Sequence, residues 1–541
     1  MNTAKGWTLS VAVSVALALP AVSMGDASMG SIAKPPDPPG RAAPAKSLAL
    51  ANQARIGDWI RLDPPADGEY VVADHEGLEK GVKTIGMVRS LPRPAKWGPT
   101  KKAAWSAMAD GTKVWAIVVE SPTATGIRIG LDSAVLPPGA SIRVASFTDP
   151  SHAVGPYGPS ALVPGERFWT ETVFDQAVAL ECQVPGDSDE SLFALSIEKI
   201  AHIYAPPENL FVPKVGNCHN DISCADSNWR SAGNSVAGIG TIGDSGVLWC
   251  TGTLLNNAAQ NYIDYFLTAN HCVANQTEAS STEFYWFYQT STCNGTPPNP
   301  ASVPRTGQGA DYLAGRTASQ ANDFAFLKLR QATPGGVVYS GWTTNNPGAS
   351  AAVKGIHHPD GSFKRISHGA LTSNNANFWY VRWSSGVTEP GSSGSALFNS
   401  SRQLIGQLYG GYSSCTFQSG IDQYGRFDKT YPLVAKWLAP WDAGAQDIGN
   451  GWRRLDWFGD YAPMGTAGWI WHNKHKFMFV SANSVPGNIW FFTQDMGWLW
   501  TSRTVYPYLY RFSPAGWLWY NGSTQPRWFR NMSTGQWESR P

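Results

Sequence analysis

Three residues of this chain could do nucleophilic chemistry, and they are met in the order histidine, aspartate, serine. His271 closes Leu267-Thr268-Ala269-Asn270-His271, the end of an apolar, strand-like run that begins near Tyr265. Asp323 heads a second apolar run, Asp323-Phe324-Ala325-Phe326-Leu327. Ser393 lies in Thr388-Glu389-Pro390-Gly391-Ser392-Ser393-Gly394-Ser395-Ala396, with small residues crowded on both sides. A serine hydroxyl needs a base to attack near neutral pH. Histidine can take that proton, and a carboxylate can fix the imidazole tautomer. A glycine-dense loop also lets backbone N–H groups come close to a bound carbonyl. Each residue has a plainer reading alone: a structural histidine, a turn or cap aspartate, a Ser/Gly linker. In this order together, they predict acyl transfer with Ser393 as nucleophile, His271 as base and Asp323 as orienting carboxylate.

The elements that must hold these residues are short strands. From about 235 to 434, apolar runs alternate with Gly/Asn/Ser turns at fairly regular intervals, which predicts a β-barrel or sandwich. Composition agrees: 55 Gly, 38 Pro, 12% aromatic and only 15% charged residues favour strands and turns over long helices. Lys and Arg number 41 against 40 Asp and Glu, so net charge points to no polyanionic partner, and nucleic acid is excluded from the reading. Six of the 7 cysteines fall between Cys218 and Cys415, with Cys182 apart. An even set in one segment predicts a disulfide framework, whose pairing the spacing leaves open. No pair has zinc-like spacing, and His357/His358 and His472/His475 lack a convincing third ligand, so neither a metal nor any other cofactor is expected.

Along the rest of the chain, Lys5 and the uncharged run from Leu9 to Val22 read as a signal peptide over 1–25. The protein is therefore expected to be exported, secreted or held at the cell surface, with no membrane span once the signal is removed. A stiff spacer follows at Lys34-Pro35-Pro36-Asp37-Pro38-Pro39-Gly40. From about Ile56 to Tyr204 the apolar run Val114–Val119 and the alternating Gly126–Ile129 and Ser141–Val144, separated by Pro137-Pro138-Gly139, predict a β-sandwich. Pro206 to Pro213 makes a second connection. Beyond about Gly449, Gly-Trp-(Ile/Leu)-Trp recurs at 468–471, 497–500 and 516–519 as a loose repeat. This aromatic module, over 450–541, would suit stacking on sugar rings or choline-like groups, and so contact with glycans or the cell envelope. The alternative is that its tryptophans pack into a core of their own.

The order of the three residues is that of chymotrypsin-type proteases, and Ser395 breaks the Gly-x-Ser-x-Gly elbow of α/β-hydrolases. Residues 215 to about 447 resemble the bacterial lysyl endopeptidases of the chymotrypsin-fold serine proteases. The resemblance rests on Cys-Thr-Gly-Thr-Leu-Leu-Asn-Asn (250–257), Phe-Leu-Thr-Ala-Asn-His-Cys (266–272), Ile-His-His-Pro (356–359) and Lys-Arg-Ile-Ser (364–367). It continues through Gly-Val-Thr-Glu-Pro-Gly-Ser-Ser-Gly-Ser (386–395), Gly-Gln-Leu-Tyr-Gly-Gly-Tyr-Ser-Ser-Cys (406–415) and Asp422-Gln-Tyr-Gly-Arg426.

That resemblance implies a double β-barrel protease domain over 215–449, a β-rich propeptide over 26–214, and protein or peptide substrates cut after lysine by a monomer. Gly391 and Ser393 N–H groups would form the oxyanion hole. Trypsin-like enzymes place the pocket carboxylate six residues before the serine, where this chain has Val387. The resemblance assigns that charge to Asp422, beside Gly410, Gly411 and Tyr409. It implies the pairs Cys218–Cys415, Cys224–Cys293 and Cys250–Cys272, and maturation between Lys214 and Val215. Ser392 stands where trypsin-like zymogens carry the activating aspartate. Tyr409 replaces a histidine of the family, and the sequence leaves open whether Trp379 is the tryptophan that accompanies it. Two rival readings are a protease accepting arginine or small residues, and a non-catalytic envelope-binding protein on a protease scaffold.

Overall fold

The computed structural model describes residues 27–37, 56–98, 101–205, 216–464, 468–481 and 484–541. The expected signal peptide, the Pro206–Pro213 connection and the Lys214–Val215 bond lie outside the described residues.

Two barrels carry the candidate site. In the first, antiparallel pairing links Val236–Ile242, Gly246–Leu255, Tyr265–Thr268, Phe324–Leu329 and Ala310–Arg316, and Glu283–Tyr285 flanks the first of these. All but Ala310–Arg316, which is mostly half-buried, are buried over nearly all their length, as their largely apolar sequences require. The second barrel runs Leu404–Gly411, Ala396–Phe398, Ala352–His357, Arg365–Asn374, Phe378–Ser385 and Ile421–Arg426, and closes when the last strand pairs with the first. The helix Phe427–Leu438 seals it, burying Phe427, Thr430, Tyr431, Val434, Ala435 and Leu438 along one stripe. Three disulfides join Cys218 to Cys415, Cys224 to Cys293 and Cys250 to Cys272.

Residues 56–205 form a sandwich. One layer holds Ile56–Arg61, Lys113–Glu120, Ala177–Val184, Ser141–Ser146 and Ala153–Tyr157; the other holds Phe168–Trp169, Gly126–Val135, Ala194–Ile203 and Lys83–Trp97. The Pro137-Pro138-Gly139 turn passes the chain from one layer to the other. Cys182 is free and buried between the layers, where burial pushes its thiol up to about 12.

This sandwich shares a sheet with the first barrel. Lys83, Thr84, Gly86 and Met87 pair with Trp249, Leu248, Val247 and Gly246. Ile85, Trp169, Ala201 and Ile203 pack in one core with Ile242, Val247, Trp249, Tyr285 and Tyr288. Each Ile or Val among them contributes about 1.5–3 kcal/mol when fully buried. Polar groups across the boundary are satisfied as well. Buried Arg128 donates to Thr170 O and, across the boundary, to Ser281 O at 2.6 Å. Arg305 donates to Glu283 at 2.8 Å and to Thr172 O at 2.6 Å. The segment 27–37 adds two short pairings to the other side of the barrels, Ser28–Met29 with Trp342–Thr343 and Ile32–Ala33 with Val338–Tyr339.

The C-terminal strands, from Gln446–Gly449 to Trp537–Arg540, form one antiparallel meander in which each pairs with its chain neighbours. Its core is Leu455, Phe458, Tyr461, Ile470, Met478, Ile489, Phe491, Leu499, Leu509, Leu518 and Phe529. The repeat tryptophans alternate with these residues and stand on the opposite face: Trp471, Trp517, Trp528 and Trp537 are exposed, and Trp469, Trp490, Trp498, Trp500 and Trp519 are half-buried. The buried core is thus mainly aliphatic and phenyl, with Trp441 and Trp457 packed against it, and the repeat tryptophans lie outside it.

On the helix Asp67–Lys80, Glu76 accepts the N–H groups of Asp244, Ser245 and Gly246 at 3.1, 2.8 and 2.7 Å, capping the hairpin that leads into Gly246–Leu255. Burial alone would raise the Glu76 carboxyl, but these N–H donors hold it below the usual range. A carboxyl lowered in the folded state contributes stability above its unfolded pKa and loses it as pH falls through the folded value. Glu76→Gln, made in a Ser393→Ala chain to keep the protein intact, is expected to cost about 1–3 kcal/mol in urea unfolding at pH 7. The cost should shrink when unfolding is repeated below pH 4.

Candidate active site

His271 and Asp323 meet because their strands are neighbours in register. Thr268, the last residue of Tyr265–Thr268, pairs with Ala325 near the start of Phe324–Leu329. The turn after one strand therefore faces the residue before the other. Asp323 is buried in the left-handed region at φ 54°, a conformation that costs an aspartate little when local hydrogen bonds hold it. Its Oδ2 lies 2.6 Å from His271 Nδ1, and its Oδ1 accepts the His271 backbone N–H at 3.2 Å. Both oxygens serve one residue, fixing the ring as well as its position. A carboxylate only accepts, so Nδ1 carries the proton and Nε2 keeps its lone pair. Among the described residues that buried Nε2 has no hydrogen-bond partner. The second barrel supports the pair from behind: Gln407 donates to Asn322 O at 2.8 Å, and Asn322 donates to Arg426 O and Thr430 Oγ1, each at 2.8 Å.

Ser393 sits in a loop fastened to Gly246–Leu255, the neighbour of the strand that leads to His271. Thr251 N–H donates to Ser393 O and Thr251 Oγ1 to Gly391 O, both at 2.8 Å. The adjacent Cys250 is bonded to Cys272, next to His271. Gly391 and Gly394 take φ values of 97° and 81°. A Cβ on Gly394 would overlap Thr268 Oγ1 and Thr251 O, so only glycine lets the loop rest this close to the end of Tyr265–Thr268. Within the loop, Ser392 N–H donates to Glu389 O, Gly394 N–H to Leu408 O and Ser395 N–H to Ser392 O. Among the described residues the N–H groups of Gly391 and Ser393 donate to no protein acceptor. Unspent N–H groups beside a serine are what a developing oxyanion requires.

Asp422 is fully buried and accepts from Trp383 Nε1 at 2.6 Å, Thr388 Oγ1 at 2.7 Å, Ser413 N–H at 3.0 Å and Ser413 Oγ at 2.6 Å. All four donors are neutral, and among the described residues no cationic side chain pairs with it. A carboxylate held only by dipoles is suited to receive a compact cation. A Cβ on Gly411 would overlap Asp422 Oδ1.

Two family models cover most of the described chain up to the meander. The model for the lysyl endopeptidase C-terminal domain matches residues 212–425, and that for the lysyl endopeptidase N-terminal domain matches residues 64–204. This chain belongs to the lysyl endopeptidase family. A lysyl endopeptidase of Pseudomonas aeruginosa PAO1 is 30% identical over 298 residues, covering 50% of this chain and 63% of that protein, so the match spans less than two thirds of the relative's length. Among solved structures, a Glu endopeptidase in complex with MPD is 24% identical, covering 40% of this chain and 93% of its own with a TM-score of 0.26. The active form of the Rv3671c protease from M. tuberculosis is 16% identical, covering 44% and 94%, with a TM-score of 0.29.

Within this lysyl endopeptidase frame, His271, Asp323 and the Ser393 loop meet at the end of Tyr265–Thr268, and Asp422 accepts from Thr388 at the start of that loop and from Ser413. Tyr409 packs against the candidate histidine. Its ring stands edge-on to His271, with centroids 6.0 Å apart. The aromatic behind it is Phe378, at 5.3 Å. Trp379 points away into the barrel, donating to Ile405 O at 3.0 Å with the Arg426 guanidinium over its ring. Gly410 faces open space. Two clusters combine a histidine with cysteine sulfurs, Cys218/His219/Cys415 and Cys250/His271/Cys272. In both, the two sulfurs are joined to each other, so neither offers a thiolate to a metal. The sequence reading missed Thr251, Gln407, Thr388, Trp383 and Ser413. Only Thr388 carried a signal, as a hydroxyl in the same glycine loop as Ser393.

Gly394→Ala is expected to destabilise the fold by about 1–3 kcal/mol through overlap and the positive φ. Gly516→Ala, where an added methyl meets open space, should leave the urea midpoint unchanged.

Proposed function

We propose that this chain is the secreted precursor of a serine endopeptidase that hydrolyses peptide bonds on the carboxyl side of lysine. The observation that carries this reading is His271, held by its ring Nδ1 on one oxygen of Asp323 and by its backbone N–H on the other, with Nε2 unspent, next to a serine loop whose Gly391 and Ser393 N–H groups are also unspent. Ser393 Oγ attacks the scissile carbonyl while His271 Nε2 takes its proton. Asp323 stabilises the imidazolium, which then gives the proton to the leaving amine. The tetrahedral oxygen is met by the N–H groups of Gly391 and Ser393, each worth about 2.7–4 kcal/mol to the transition state. Water then repeats the sequence on the acyl-enzyme.

Lysine is favoured by buried Asp422, which gains a charge partner when a lysine ammonium enters. Val387 leaves no carboxylate at the trypsin-like position. Residues 26–214 act as the propeptide, cut between Lys214 and Val215. The outward aromatic face of the meander, which carries Trp471, Trp517, Trp528 and Trp537 and no Asp or Glu on its strands Trp469–His472 to Ala515–Tyr520, is suited to stacking on neutral sugar rings of the cell envelope.

Assayed on peptides that vary only the residue before the scissile bond, the secreted protein should cleave after lysine, and its N-terminal sequence should begin at Val215. Ser393→Ala should lower kcat by about six orders of magnitude. Asp422→Asn should lower kcat/KM for lysine peptides by roughly a hundredfold, from the loss of about 3 kcal/mol. Preferred cleavage after arginine or small residues would replace the lysine assignment, and cleavage by Ser393→Ala would overturn the triad. Removing residues 450–541 should abolish binding to cell-envelope glycan while sparing peptide cleavage; unchanged glycan binding would remove the sugar-stacking reading.

A further inference from the structure

The loop that carries Ser393 is held from beneath by groups the mechanism does not use. The segment Cys218–Asp221 lies along the second barrel: Asn220 pairs with Ile366 and Asp221 with Arg365, and Cys218 is bonded to Cys415. Between these anchors the side chain of His219 is fully buried, and its Nε2 lies 3.0 Å from Glu389 Oε2. The other carboxylate oxygen, Glu389 Oε1, accepts the Cys415 N–H at 3.2 Å. His219, with burial opposing and Cys415 N–H assisting, holds the Glu389 carboxyl below the usual range.

Glu389 in turn forms the first corner of the oxyanion loop. Its carbonyl accepts the Ser392 N–H at 2.9 Å, and its N–H donates to Ser392 Oγ at 3.2 Å. Ser392 Oγ also meets His357 Nδ1 at 2.8 Å, and His357 Nε2 meets Ser367 Oγ at 3.0 Å. Ser367 Oγ donates to Val387 O at 2.9 Å. One assignment satisfies the whole chain: Ser392 O–H to His357 Nδ1, His357 Nε2–H to Ser367 Oγ, and Ser367 O–H to Val387 O. Glu389, which opens the turn before the Gly391 and Ser393 N–H groups, is therefore tied to His219, and Ser392, which closes it, to His357.

We propose that His219 is a positioning residue for the oxyanion loop: paired with Glu389, it fixes the turn that aims the Gly391 and Ser393 N–H groups. This rests on the serine endopeptidase reading. The pair latches the loop, through the Glu389 carboxylate, to the segment that contains Cys218. A buried hydrogen bond to a carboxylate is also a steep constraint, since breaking it leaves Glu389 half-buried without that partner.

The experiment compares the wild-type protein with His219→Ala and His219→Gln on one lysine peptide, and measures affinity for a peptidyl-lysine boronate, which fills the oxyanion hole covalently. His219→Ala is expected to lower kcat 10- to 100-fold (about that of one impaired oxyanion donor) with KM unchanged, and to weaken the boronate by a similar factor. His219→Gln keeps an N–H donor and should recover most of both losses. Urea midpoints show whether the fold survives; if His219→Ala does not fold, Glu389→Gln is expected to show the same kcat loss and the same weakening. Unchanged kcat in a folded His219→Ala, or a loss confined to KM, would overturn the proposal while leaving the endopeptidase reading in place. Wild-type protein that cleaves no peptide would overturn both.

Discussion

Thr251 holds the candidate site together. With one N–H and one hydroxyl it grips two carbonyls of the Ser393 loop, at Ser393 and at Gly391. The same hydroxyl accepts the His358 N–H at 3.1 Å, and the carbonyl of Thr251 accepts Thr268 Oγ1 at 2.8 Å. Every polar group of this buried residue is spent on bringing the second barrel's loop against the first barrel's strand end. Inside a low-dielectric interior such bonds are costly to leave unmade, which makes the arrangement all-or-none rather than graded. The disulfide of the neighbouring Cys250 to Cys272 applies the same constraint covalently on the His271 side.

Around this junction, the structure keeps charge buried only where partners surround it. Asp422 has four donors, Asp323 spends both oxygens on His271, and Glu283 sits between Arg305 and Thr172. Lys364 is the exception. It is buried, its ammonium donates to Gln289 at 3.0 Å, and burial lowers it to about 7. No carboxylate stands among the causes of that shift, so its charge is opposed by the fold. The unfolded chain binds that proton more readily, and this group alone favours the folded state more as pH rises from about 7 towards 10.

How much could be read from the chain depended on whether a role resides in side-chain type or in backbone pairing. His271, Asp323 and Ser393 were legible because their chemistry demands those residue types in a recognisable order. Thr251 and Gln407 were not, since they act on carbonyl oxygens of segments far away in sequence. Phe378 and Trp379 show a second limit. In Phe378–Ser385 adjacent side chains point to opposite faces, so the aromatic that reaches Tyr409 follows from strand register, which composition does not reveal. The meander shows the converse. Period-two alternation at Ile489-Trp490-Phe491 already separates core from surface, and the outward tryptophans could have been read from it directly. The docking of Lys83–Trp97 on Gly246–Leu255 had no local signature, because either strand would suit many partners.

That last pairing gives the strand Gly246–Leu255 two clients. Its first residues are a sheet partner for the N-terminal sandwich, and its later residues hold the Ser393 loop. A rigid element gripped at both ends couples them thermodynamically, and such coupling is reciprocal. Whatever free energy the sandwich contributes to ordering the loop, an ordered loop returns in the same measure to the sandwich's hold on the strand. Occupancy of the site and retention of the sandwich are then two readings of one equilibrium.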